Sequence, residues 1–268
     1  MDATFEKLTF KKRLKTMLKV DFKRMFTMPL VYIMAAVSLA MPILILVMTS
    51  TMGGATDPTT GAEAAAMFTN VWQAISSVSG TASSADAGMS MDLTTMCNMN
   101  LMYFMIAVLV CVFTAEDFRS GYAKNLFTVR SKKVDYVFSK TLVCFVGGAI
   151  MMLMFFIGAM IGGAIGGLPF TMEGFNAGGI VACLFSKIFL VAVFVGIFLT
   201  FAVVAKQRTW LSILLAIGVG AFMFMMIPMM TPLNATFIHV IMTLAGGGLF
   251  AVGLGAVSNV ILNKTSLV

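Results

Sequence analysis

The sequence predicts an all-α, multi-pass membrane protein: one domain over residues 1–268, with six transmembrane helices behind an N-terminal amphipathic helix in the interface. Three observations carry this. First, 60% of the 268 residues are hydrophobic, only 11% are charged, and the mean hydropathy is +0.99. A soluble domain carries roughly 45–50% apolar and about 25% charged residues, so this chain has too little charge to cover a water-facing globule. That excludes an ordinary soluble enzyme and a disordered chain. Second, runs free of Asp, Glu, Lys and Arg cover 25–56, 93–115, 141–172, 188–205 and 209–263, against the roughly 20 residues a helix needs to cross a bilayer. Third, these runs are continuous and do not alternate in the short segments of about ten residues that build a β-barrel. Helices are then the structure that satisfies the backbone in lipid.

Residues 10–27 form the first element. Leu14, Met17, Leu18, Phe22 and Met25 recur at helical spacing, with Lys12, Lys15, Lys19 and Lys23 on another face. Such a helix lies in the headgroup plane and turns at Pro29 into a first span over 29–51. Nothing before that span has the pattern of a cleaved signal peptide.

The connection 52–97 holds four acidic and no basic residues. Within it Gly61–Val78 reads as a short helix carrying Phe68, Val71, Trp72 and Ile75, either a surface loop or a gate over the mouth of the bundle. The second span is placed at 98–115. The connection 116–140 is dense in charge around a small apolar set, Leu126, Phe127, Val129 and Val134, and far exceeds the 2–8 residues that join neighbouring helices. It reads as a surface for another protein.

The remaining spans are placed at 141–167, 179–204, 210–229 and 238–262, the last two divided at Pro228, Pro232 and Asn234. Gly158, Gly162 and Gly166 form a small-residue row of the kind that lets helices approach closely. Lys187 is the only lysine or arginine of the 18 that does not fall on one side of this topology. The positive-inside rule makes that side cytoplasmic, with both termini on it. The net charge of +7 then reflects topology and anionic headgroups rather than nucleic-acid binding. A lysine at mid-bilayer costs about 2.5–3.5 kcal/mol. Lys187 therefore either snorkels to the outer headgroups or faces the bundle interior.

No G-x-x-x-x-G-K-S/T loop is present, so the chain has no phosphate-cradling loop of its own. The single histidine, His239, and the four cysteines at 97, 111, 144 and 183 read as packing residues. Acidic residues are missing from the span centres, which leaves a buried proton or sodium relay without candidates.

The segment from Glu116 to Lys140 resembles the cytoplasmic loop of ABC transporter permeases of the type-2 exporter class. Asp117 stands four before Gly121, followed by Lys124-Asn125-Leu126, Arg130 and Lys140; the elbow helix and six-span plan match as well. The resemblance implies a half-transporter, a membrane permease in the bacterial plasma membrane with no enzymatic activity of its own. A second permease chain, identical or not, would complete the pore, and two copies of a separate ABC ATPase would supply ATP and Mg chemistry, with no cofactor in this chain. It implies ATPase coupling through Asp117, Gly121, Lys124, Arg130, Tyr136 and Lys140. It also implies a cargo path along the second and fifth spans, at Met102, Met105, Leu109, Phe222 and Met226, with Lys187 as a polar point on it. The cargo class is a hydrophobic or amphipathic peptide or drug-like molecule. The long outer connection after the first span, where some family members carry a long segment between spans five and six, departs from the pattern. The alternatives are a stand-alone carrier or channel, and an immunity or sensor subunit.

Overall fold

The computed structural model describes residues 9–52, 68–76, 97–129, 132–171, 174, 176–224 and 227–264. Among these residues the regular structure is helical. The helices are α1 (Phe10–Thr27), α2 (Pro29–Met52), α3 (Met102–Arg119), α4 (Tyr122–Val129), α5 (Lys133–Ile165), α6 (Ala177–Ala205), α7 (Thr209–Phe224), α8 (Ile227–Met230) and α9 (Phe237–Lys264). Short 3-10 turns occupy Val71–Ala74 and Met99–Leu101.

Five helical stretches are long and apolar enough to cross a membrane: Pro29–Thr51, Met99–Arg119, Lys133–Ile165, Ala177–Ala205 and Phe237–Lys264. The chain is thus a multi-pass membrane protein. α7, where a further span was expected, is apolar but has only 16 residues, about 24 Å at a rise of 1.5 Å per residue.

Each predicted span falls on a helix, but the ends differ. α5 begins at Lys133 rather than 141, and α3 runs on to Arg119. Charge does not mark the helix ends here: Asp117 and Lys140 sit inside helices because their charges are paired and buried. The connection 116–140 is accordingly helical over most of its length, broken at Ser120–Gly121 and again before Lys133, where Lys132 is extended. Gly121 has φ +73°, a backbone region where a side chain strains.

Helix directions follow from close contacts. Leu39 lies beside Gly158, Ile43 beside Gly162 and Ser50 beside Gly166, so α2 and α5 run parallel. Phe189 lies beside Gly247 and Leu254 beside Gly196, so α6 and α9 run parallel too. The start of α5 meets the end of α9, where Lys133 Nζ donates to the Leu262 carbonyl at 2.6 Å. α1, the α3–α5 connection, the Lys206–Arg208 turn and the end of α9 therefore share one end of the bundle, called here the basic end.

α3 and α6 form the buried centre, with Tyr103, Ile106, Val110, Phe113, Val191, Phe194 and Phe198 in one apolar core. α9 leaves most of its surface open, with Met242, Leu249 and Val252 exposed, as a lipid-facing helix does. The glycine row fixes the α2–α5 seam. A Cβ at Gly158 would collide with the Leu39 carbonyl and the Pro42 ring, and one at Gly162 would lie 2.8 Å from Ile43 Cα. Backbone meets backbone there, the use of small residues in lipid, where no water is left to drive helices together.

At the opposite end, the predicted Gly61–Val78 helix is described only over 68–76, where the chain forms a 3-10 turn and not an α-helix. Phe68, Val71, Ala74 and Ile75 are buried, and Val71 fits against Gly163 of α5. Trp72 Nε1 donates to the Phe170 carbonyl at 2.7 Å and Asn70 Nδ2 to the Thr171 carbonyl at 2.9 Å. All four cysteines are free thiols. His239 pairs with Thr236 Oγ1 at 2.8 Å across the start of α9.

Replacing Gly158 by Val should destabilise the protein by at least the ~1–3 kcal/mol typical of overpacking, read as a lower unfolding temperature in detergent. Gly253→Ala, at a position with nothing within 4 Å of the added Cβ, should leave that temperature unchanged.

Candidate functional site

The apolar stripe of α1 has one interruption. Met17, Asp21 and Met25 are spaced four apart and form its buried face. Asp21 thus points into the protein from the middle of an otherwise apolar stripe, and a buried charge needs partners. It finds them at the start of α5. Asp21 Oδ2 accepts from Ser139 Oγ at 2.6 Å, and Oδ1 lies 3.1 Å from Lys140 Nζ.

Lys140 Nζ also lies 2.8 Å from Asp117 Oδ2, near the end of α3. That oxygen accepts from Tyr136 Oη at 2.8 Å, while Asp117 Oδ1 accepts from Arg24 at 2.6 Å. Asp21, Asp117 and Lys140 are fully buried, and the Arg24 side chain is 26% exposed. Two carboxylates and two cations are thereby balanced in one place. Aromatic rings close over them, with Lys140 Nζ 3.7 Å from the Phe113 ring centroid and the Arg24 guanidinium 4.0 Å from that of Tyr122, both cation–π distances. A further pair, Arg13 with Asp135 at 2.8 Å, fastens the beginning of α1 to the beginning of α5.

Burial works against the charge on Arg24, but the Asp117 carboxylate, with smaller help from Tyr122 and Asp21, outweighs it and raises its pKa. Burial, then the Asp21 carboxylate, pushes the Tyr122 phenol above its ordinary value. Both groups keep the protonation that the network uses at neutral pH.

The cluster therefore ties together α1, the end of α3 and the start of α5. Between the latter two sits α4. Its inner side is Ala123, buried, with Leu126 and Phe127 packed on the core; the Phe127 ring meets Tyr136 edge-on at 5.3 Å. Its outer side is Lys124, Asn125 and Thr128, all exposed.

Of the predicted coupling residues, Asp117, Tyr136 and Lys140 meet in one network. Gly121 makes the turn before α4, and Lys124 stands on the outer face. Arg130 lies outside the described residues. Lys140 is wholly inside, between the carboxylates of Asp21 and Asp117. The sequence reading missed Asp21 and Arg24. The signal for Asp21 was available in the Met17–Asp21–Met25 spacing, where an acid takes a core position.

The predicted path residues do not converge. Met102 and Leu109 are buried in the core, Met105 is half-buried against it, and Phe222 is 75% exposed on the far side of α7. Met226 lies outside the described residues.

Lys187 faces the interior rather than the headgroups and is fully buried. Its Nζ donates to Asn100 Oδ1, just ahead of α3, and at 3.0 Å to Thr231 Oγ1, just after α8. Tyr103 Oη donates to the Lys187 carbonyl at 2.9 Å. Ser76 Oγ, from the segment covering this end, donates to the Thr231 carbonyl at 2.9 Å, and Cys183 Sγ reaches the same carbonyl at 3.6 Å.

Compared with known proteins, the chain matches no protein-family model, no curated protein and no solved structure.

Removing one partner of a buried charge network leaves another uncompensated, at a cost of about 3–5 kcal/mol. Lys140→Met should therefore lower stability by that order. Adding Asp21→Asn should recover part of it, so the double variant is more stable than Lys140→Met alone. Thermal unfolding followed by size exclusion checks both.

Proposed function

We propose that this chain is the membrane permease subunit of an ATP-driven exporter, moving a hydrophobic or amphipathic cargo with a separate ABC ATPase as its engine. One observation carries the reading: a short helix, α4, is held at the basic end by a neutralised, buried ion network that also grips α1, α3 and α5. A surface meant only to reverse the chain needs no such mounting. A helix that is pushed from outside the membrane does, because force on α4 then reaches two long helices and the interfacial helix together.

The remaining features fit. The basic end is the cytoplasmic one by the positive-inside rule, which puts α4 where an ATPase is found. α7 serves as the fifth of six spans, short for a bilayer of about 30 Å and accommodated by local thinning or snorkelling. Trp210, Leu214 and Phe222, exposed on α7, face lipid or the second permease chain. Met102 and Leu109 join a path only when the bundle opens, as alternating access requires. The missing acids at the span centres weigh against a stand-alone proton- or sodium-driven carrier.

The test is affinity purification of the full chain from native membranes. An ABC ATPase should co-purify, and Lys124→Glu, which changes only an exposed residue of α4, should reduce its recovery at least tenfold without changing the yield of permease. Recovery of the intact chain without any ATPase would overturn the proposal.

A further inference from the structure

The described carboxylates of this protein all lie at one end, while Asp57, Glu63, Asp86, Asp92 and Glu173 lie outside the described residues. Among the described residues the carboxylates are Asp21, Glu116, Asp117 and Asp135, all at the basic end. Lys187 is far from them. It lies level with the start of α3, and Tyr103 and Asp117 on that helix are separated by about 21 Å at 1.5 Å per residue. Its side-chain partners, Asn100 and Thr231, are neutral.

The groups around it have a surplus of donors. An ammonium has three N–H bonds; Lys187 spends one on Asn100 Oδ1 and one on Thr231 Oγ1. Thr231 Oγ1 spends its own hydrogen on the Ile227 carbonyl at 3.0 Å. Asn100 must turn its oxygen toward Lys187, so its Nδ2 is turned away from it, and that amide nitrogen is buried without an acceptor. Asn98, in the same turn, gives its Oδ1 to the Asn100 backbone N–H at 2.9 Å, and its Nδ2 is likewise buried without an acceptor. Buried amide groups and buried ammonium groups normally have partners. Here the Asn98 and Asn100 amide N–H groups and one N–H of the Lys187 ammonium are left without an acceptor among the described residues.

We propose that Lys187 and Asn100, with Asn98 beside them, form a binding site for a monovalent anion, a halide ion or the carboxylate of a larger molecule, in the half of the bundle opposite the ATPase-facing end. The anion accepts the third N–H of Lys187 and the Asn100 Nδ2 hydrogens and supplies a countercharge that no described side chain gives Lys187. Thr231 couples the site to its cover, since its hydroxyl holds Lys187 while its carbonyl holds Ser76. Displacing the segment 68–76 gives access. The site follows from the donor count alone and stands whether or not an ATPase drives the protein.

The experiment is thermal unfolding of the purified full chain in detergent, titrated with sodium bromide or with sodium acetate in a sodium sulfate background. A ligand that binds only the folded state raises its unfolding temperature saturably. The wild type should show a saturable rise of several degrees. Lys187→Met should be flat. Asn100→Asp, close in shape and carrying its own carboxylate to Lys187, should also be flat, and should unfold above the wild type when neither anion is present. A response to acetate alone assigns the site to a carboxylate-bearing molecule, and a response to bromide assigns it to an inorganic ion; either supports the site. A wild type that responds to neither anion, or an Asn100→Asp variant that keeps the wild-type response, overturns it. If Lys187→Met does not fold, the Asn100→Asp comparison decides alone.

Discussion

The structure depends on the meeting of Lys140 and Asp117 inside the basic end of the bundle. A charge in a low-dielectric interior is tolerated only with its opposite and with hydrogen bonds to the remaining lone pairs. Asp117 meets both conditions through Lys140, Arg24 and Tyr136, and Asp21 has the opposite charge of Lys140 3.1 Å from Oδ1 and the Ser139 hydrogen bond on Oδ2. The six residues come from three helices: Asp21 and Arg24 from α1, Asp117 from α3, and Tyr136, Ser139 and Lys140 from α5. Neutralising the charges therefore also sets where α1 lies, where α3 stops and how early α5 begins. An all-apolar junction of similar volume is often as stable. A polar junction also joins specific positions, since Asp117 is met by Arg24 from α1 and by Lys140 and Tyr136 from α5.

The mounting of α4 follows from this. Between two fixed helix ends, an eight-residue helix with a left-handed glycine at its head has little freedom, and its apolar side is committed to Phe127 and Tyr136. What is left for the solvent is a narrow polar face of Lys124, Asn125 and Thr128. The seams elsewhere work differently. At α2–α5 and α6–α9 the helices approach through glycine, so their backbones move as pairs. The two seamed pairs also pack on each other, α5 against both α6 and α9, with α3 packed against α5 and α6.

Much of the architecture was legible in the residues because lipid imposes simple demands. Charge-free runs located the helix centres, and the row Gly158, Gly162, Gly166 announced a close seam. The ends were less legible for a physical reason. A charge in sequence marks the end of a span only if it is solvated, and Lys140, Asp117 and Lys187 are not. The helical nature of 116–140 was hidden for the same reason: its charges read as loop, while those nearest the membrane face inward. The position of Asp21 was legible in the Met17–Asp21–Met25 spacing, but its partners were not. Pairing across α1, α3 and α5 is long-range in sequence, and no local pattern reports it. Phe222 shows the opposite limit: an apolar residue in a span reads the same whether it faces a path, lipid or a second chain.

The claim that matters most is that α4 is the point at which an external engine acts. Cysteine cross-linking from position 128 measures this directly. Thr128→Cys, carried by the intact protein in native membranes and treated with a short bifunctional maleimide, should yield one product whose second component is an ABC ATPase, with a yield that changes when ATP is trapped by vanadate. A product lacking any nucleotide-binding subunit, or modification of that cysteine from the face of the membrane opposite the cytoplasm, would contradict the account.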